Sequence, residues 1–140
     1  MLAYNSHTMP HTILVADDEP ALLRLMEFML TKQGHLLLTA TNGEEALALA
    51  RERRPDLVVL DIMMPKRDGY AVAEAIRADP QIRHMPIIML TARAQEDDIA
   101  RGIAVGVDTY ITKPFSPEAF VRVVAAHLEG TPMPGAESSV

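Results

Sequence analysis

The chain has 140 residues, 49 % of them apolar and 23 % charged, which suits one globular domain with a core and excludes a disordered chain. Its formal net charge of -6 argues against a nucleic acid as direct partner, and no apolar run approaches the length of a membrane span. Cysteine is absent, which excludes disulfides, thiolate chemistry and cysteine-ligated metal and fits a cytoplasmic location.

Residues 1–11 mix small, polar and proline residues without a period and read as a loose leader. Ile13–Ala16 is a short apolar run that stops at Asp17. Pro20 suits the first turn of a helix, where its missing N–H is not needed, and Leu22, Leu25, Met26 and Met29 give that helix an apolar face up to Gly34. Leu36–Ala40 reads as a second strand, and Asn42 precedes a helix carrying Ala46, Leu47 and Leu49. Leu57–Leu60 is almost continuously apolar, which expects cover on both faces, and it stops at Asp61. Gly69–Ala78 predicts a third helix with Val72, Ala75 and Ile76 inward. Pro86–Leu90 predicts a strand ending at Thr91, and residues 95–105 a helix with Ile99 and Ile103 on one side. Gly102 weakens that helix and Gly106 can end it. Val107–Thr112 leads into Lys113–Pro114–Phe115. Ser116 and Pro117 then open a last helix lined by Phe120, Val121, Val124 and Leu128. Residues 130–140 read as a tail or the stub of a linker.

Five strand–helix units imply right-handed crossovers and a parallel sheet with helices on both faces. In such a sheet every strand ends at the same edge, where ligands bind outside a switch in strand order. Asp17, Asp18, Asp61, Thr91 and Lys113 each follow or end a predicted strand, so that fold brings them together. Crowded carboxylates repel one another, and a hard dication relieves the repulsion; all-oxygen ligands suit Mg²⁺, with Mn²⁺ as a substitute. A carboxylate can also attack phosphorus, with a cation and a hydroxyl holding the phosphoryl oxygens.

Asp17–Asp18–Glu19, Leu60–Asp61–Ile62–Met63–Met64–Pro65, Asp68–Gly69, Thr91–Ala92 and Lys113–Pro114–Phe115, in this order and at strand ends, resemble the receiver domain of bacterial two-component response regulators. The resemblance covers residues 12–129. It implies a flavodoxin-like three-layer α/β/α sandwich with strand order 2-1-3-4-5. It also implies that Asp61 is phosphorylated by a histidine kinase or phosphotransfer protein, and that the domain controls an output domain or downstream protein. Asp18, Asp61 and the Met63 carbonyl would ligate Mg²⁺, with Asp17 holding a metal-bound water. Thr91 and Tyr110 would be the switch pair, Lys113 the phosphoryl-binding cation, and Lys113–Pro114 a cis peptide, which is cheap only before proline. Met63 and Arg93 lie where the family tunes hydrolysis, and their size implies a phosphorylated lifetime longer than that of the fast chemotaxis type.

Taken singly, Asp17–Asp18 could cap a helix, Thr91 could cap the fourth helix, Tyr110 could be a core aromatic, and Lys66–Arg67 could be solvated. His7, His11, His35, His84 and His127 show no ligand spacing and read as surface or tail residues. The face around Arg93, Asp97, Asp98, Arg101, Asp108 and Arg122 would support a phosphorylation-dependent homodimer, as in the DNA-binding branch. Thr109 and Val123, however, depart from that branch's charged pairing positions. An aspartate-nucleophile phosphatase or phosphotransferase is the alternative enzyme class, but it usually needs an acid where Met63 stands. A degenerate, unphosphorylated interaction module is the other alternative. A glycine-rich nucleotide loop is missing after the first strand.

Overall fold

The structure, a computed structural model, describes residues 10–92 and 96–129, without the side chains of residues 96–98. The leader residues 1–9, Arg93, the side chains of Asp97 and Asp98, and the tail 130–140 lie outside the described residues.

Five strands alternate with five helices: β1 (Thr12–Ala16), α1 (Pro20–Lys32), β2 (Leu36–Ala40), α2 (Gly43–Arg53), β3 (Leu57–Asp61), α3 (Gly69–Ala78), β4 (Ile87–Thr91), α4 (Glu96–Val105), β5 (Thr109–Thr112) and α5 (Pro117–Glu129). The sheet is parallel in the order β2-β1-β3-β4-β5. Strands of this kind need cover on both faces, and all residues of β3 and β4 are buried. Leu14, Val58, Leu60, Ile87 and Met89 pack on one face against Ala46, Ala50, Val72, Ala73 and Ile76 of α2 and α3, with Ile99 and Val105 of α4. Ile13, Val15, Leu57, Val59, Ile88, Leu90 and Ile111 pack on the other against α1 and α5, through Met26, Leu30, Phe120, Val123 and Val124. The result is the three-layer α/β/α sandwich.

Local chemistry sets the helix starts. The side chains of Asn42, Asp68 and Ser116 accept the amides of Glu45, Ala71 and Ala119 at 2.8, 2.8 and 3.0 Å. Gly34 and Gly106, at φ of 94° and 89°, turn the chain after α1 and α4, a conformation that costs a residue with a Cβ.

Some helix faces differ from expectation. Leu25 is 45 % exposed, and Leu23 and Leu30 take its place inside α1. Ala75 of α3 and Leu49 of α2 pack half-buried against the core as expected, with Ala73 and Ala50 buried beside them. In α4, Ile103 is 71 % exposed while Ile99 packs inward and Gly102 is buried. The reason is steric: a Cβ on Gly102 would collide with the hydroxyl and ring of Tyr110. The α4 face nearest the sheet is therefore the one with the least side chain.

Candidate functional site

β1 and β3 are neighbours in the sheet, and their carboxyl ends deliver Asp17, Asp18 and Asp61 to one place. One carboxylate oxygen of each lies within 4.8 Å of the others. Asp17 is fully buried, Asp61 is 6 % exposed and Asp18 faces solvent. Asp17 is held from two sides: it accepts the Glu19 amide at 2.9 Å and the Lys113 ammonium at 3.0 Å. The same ammonium lies 3.4 Å from Asp61. Lys113 reaches inward from the end of β5, where the Lys113–Pro114 peptide is cis and the Lys113 amide donates to the Thr91 carbonyl at 2.7 Å.

Close packing brings the following loop to the same edge. The Gly69 amide donates to the Ile62 carbonyl at 2.9 Å, and a Cβ on Gly69 would come within 2.5 Å of the Asp61 carbonyl oxygen. The Gly43 amide at the start of α2 donates to the Pro65 carbonyl at 3.3 Å and braces the loop from the other side. Met63 stands in this loop 75 % exposed, and its backbone amide hydrogen-bonds to Asp61. Thr91 ends β4, beside β3, and is buried. Tyr110 lies on β5 with its ring inward.

Electrostatics follow from this crowding. Burial raises the pKa of Asp61 above the ordinary carboxylate value, and the charge of Asp17 raises it further; Lys113 and the Met63 amide oppose the rise. Burial alone would lower the pKa of Lys113, but its hydrogen bond to Asp17 and the charges of Asp61 and Asp17 outweigh burial and raise it. Three carboxylates against one ammonium leave net negative charge in a partly dry niche. An all-oxygen, anionic donor set with one solvent-facing member suits a hard dication that keeps part of its water, as Mg²⁺ does.

Three residues, the last of them at the opposite edge of the sheet, were not singled out from sequence for the roles the structure gives them. Tyr70, directly after Asp68–Gly69, is 2 % exposed and its hydroxyl lies 3.0 Å from that of Tyr110. Gly102, read from sequence only as a weak point in α4, lies under Tyr110. His127, read as a surface residue, is part-buried and its Nε2 lies 2.7 Å from the Thr109 hydroxyl. Val123 is fully buried and belongs to the core. A buried aromatic with a polar tip after a helix cap is the one signal that could have flagged Tyr70.

An open α/β sheet with a lysine and an acidic cluster able to hold a divalent metal at its carboxyl edge is the arrangement of a receiver-type domain. Residues 13–125 match the response regulator receiver domain family, and the chain belongs to that family. It is 49 % identical over 115 residues to the "Probable transcriptional regulator ycf27" of Porphyra purpurea, covering 80 % of this chain and 46 % of that protein. It is 46 % identical over 114 residues to the alkaline phosphatase synthesis transcriptional regulatory protein PhoP of Bacillus subtilis, covering 81 % of this chain and 47 % of that protein. The chain thus spans about half the length of the curated relatives it matches. Among solved structures it resembles the receiver domain of a sensor histidine kinase from Pseudomonas aeruginosa, which has a magnesium ion coordinated in its active-site cleft. The TM-score is 0.79 at 30 % identity, over 86 % of this chain and 98 % of that one. Among the described residues no helix is long and apolar enough to cross a membrane.

Proposed function

We propose that this chain accepts a phosphoryl group on Asp61 from a histidine kinase or phosphotransfer protein and passes the event to an output domain or downstream protein. The observation that carries this reading is the Lys113 ammonium, 3.0 Å from Asp17 and 3.4 Å from Asp61, beside a third carboxylate within metal-sharing distance. Asp17, Asp18, Asp61 and the Met63 carbonyl would hold Mg²⁺. The ion, when bound, would supply positive charge against the phosphoryl oxygens and the carboxylates.

The chain's own groups then have distinct tasks. An Asp61 carboxylate oxygen attacks phosphorus; the new P–O bond replaces the donor's P–N bond, and the imidazole leaves with its electron pair. Lys113 turns from Asp61 to a phosphoryl oxygen while Asp17 keeps it near. Thr91, at the end of β4, moves to a second phosphoryl oxygen, and the space it vacates favours the inward pose that Tyr110 on β5 already holds. Water then attacks phosphorus slowly, the Asp61 carboxylate leaves and inorganic phosphate is released, so the chemistry is stoichiometric rather than that of a turnover enzyme. The relatives named as transcriptional regulators support an output that acts on DNA through another domain, not through this acidic one.

Treatment with a small phosphodonor or with beryllofluoride plus Mg²⁺ tests this. With the phosphodonor, wild type is expected to gain one phosphoryl mass and Asp61→Asn none; beryllofluoride, which transfers no phosphorus, serves as the mimic for the size measurement. A mass gain retained in Asp61→Asn would overturn the acceptor assignment, and steady turnover of small phosphate esters would favour the phosphatase class. Size measured before and after treatment tests the homodimer. Thr109 paired to His127 and Val123 buried leave the acidic–basic pairing of the DNA-binding branch without two of its positions, and no dimer through those contacts is expected.

A further inference from the structure

Tyr110 is held inward by a structural arrangement that the phosphoacceptor chemistry does not require. Its hydroxyl meets that of Tyr70 at 3.0 Å in a buried contact between β5 and α3. Tyr70 is itself fixed. The Arg101 guanidinium of α4 sits 4.4 Å over its ring and 4.0 Å from Asp68, whose other oxygen caps α3. On the α4 side the Tyr110 hydroxyl occupies the space a side chain at position 102 would fill. Two features thus accompany the inward pose, a hydroxyl on α3 that meets it and a glycine on α4 that admits it.

We propose that Tyr70 is a positioning residue of the switch: with Gly102, it holds Tyr110 inward before any phosphoryl group arrives. This rests on the reading of Thr91 and Tyr110 as the switch pair. A net buried hydrogen bond shifts such an equilibrium about fivefold, enough to change which pose dominates when the two are close in energy. Phosphorylation then acts on a switch whose tyrosine is already turned, and the remaining change falls on Thr91 and α4. The phosphate-free domain accordingly presents its α4–β5–α5 face with Tyr110 tucked away and Ile103 outward.

The chain has only three tyrosines, which makes the test direct. The 140-residue chain is labelled with 3-fluorotyrosine, its ¹⁹F signals are assigned by Tyr→Phe substitution, and exposure is read with a soluble paramagnetic relaxation agent. In metal-free wild type the Tyr110 signal is expected to be protected, and beryllofluoride plus Mg²⁺ should change its protection little. In Tyr70→Phe the ratio of protected to exposed Tyr110 should fall about fivefold, as one lost hydrogen bond implies, and beryllofluoride plus Mg²⁺ should restore it. Restoration by the phosphoryl mimic is what a merely structural role of Tyr70 would not produce. Gly102→Ala should expose Tyr110 independently. Tyr110 as protected in Tyr70→Phe and Gly102→Ala as in wild type would overturn the proposal. Loss of the Asp61 mass gain in wild type would instead overturn the phosphoacceptor reading, and the metal-free comparison of Tyr110 exposure does not depend on that result.

Discussion

At the amino edge of the sheet the Arg77 guanidinium donates to the carbonyls of Arg83, Met85 and Gly106 at 2.6–3.0 Å and to the Asp108 carboxylate at 2.9 Å. Asp108 in turn accepts the Ile87 amide at 2.7 Å. At the carboxyl edge, Asp17, Asp18 and Asp61 crowd together and the Lys113 ammonium pairs with two of them. The first arrangement matches charge to partner and ties the loops before β4 and β5 to α3. The second leaves like charges facing one another, at a cost that only a cation or a protonation event relieves. The same fold thus keeps one edge electrostatically closed and the other open to a ligand.

The largest way to break this contrast is Asp61→Asn. It should abolish labelling by a small phosphodonor, and it should raise the thermal midpoint of the metal-free protein, because it removes a buried charge next to Asp17. Mass spectrometry and calorimetry without Mg²⁺ read the two effects. A lower midpoint would mean that Asp61 is stabilised rather than crowded.

Next in size is Lys113→Met. Removing the ammonium leaves Asp17 and Asp61 uncompensated, so metal-free stability should fall by about 3 kcal/mol, as expected when one partner of a buried ion pair is deleted. Saturating Mg²⁺ should return much of that loss, since the ion binds only the folded state. Denaturant titration with and without Mg²⁺ makes the comparison. Arg77→Ala should cost about 2 kcal/mol, from the loss of charge-assisted hydrogen bonds to carbonyls. Its loss should be the same with and without Mg²⁺, and labelling of Asp61 should persist in the folded protein.

A smaller effect comes from pH. The folded pKa of Asp61 is raised above its ordinary 3.8, so the metal-free folded state holds this proton more tightly than the unfolded chain does. As pH falls through the raised value toward 3.8, the destabilisation due to Asp61 is relieved; below 3.8 both states are protonated and nothing more is gained. Mg²⁺ competes with that proton, so its affinity should weaken over the same window. Lys113 works in the opposite sense. Its folded pKa is raised above 10.5, so its contribution is fully present below 10.5 and is lost as pH rises through the folded value. Calorimetric Mg²⁺ titrations at descending pH test the first half and alkaline melting curves the second.

The residues of the open edge were legible in the sequence because a parallel sheet turns position along the chain into position in space. Asp17, Asp61, Thr91 and Lys113 close or follow apolar runs, and runs of that kind must end at one edge. The strand order needed the family resemblance, because alternation of strands and helices does not choose among sheet orders. The matched partnerships were less legible. Leu25 and Ile103 sit on helices with more apolar residues than one face can bury, so the period of 3.6 left two overlapping stripes, and packing chose between them. Gly102 looked like a weak point of α4 because propensity counts backbone entropy and not the tyrosine that lies over the residue. Tyr70 and His127 find their partners 40 and 18 residues away, across elements whose spacing is a property of the folded core.

The shared-cation geometry is tested most directly by Mg²⁺ titration calorimetry on wild type, Asp18→Asn, Asp61→Asn and, as a control from the amino edge, Asp108→Asn. Binding at one site in wild type and in the folded control, abolished or strongly weakened in both Asp18→Asn and Asp61→Asn, is the expected result. Undiminished binding in either Asp18→Asn or Asp61→Asn would contradict a single ion held jointly by β1 and β3.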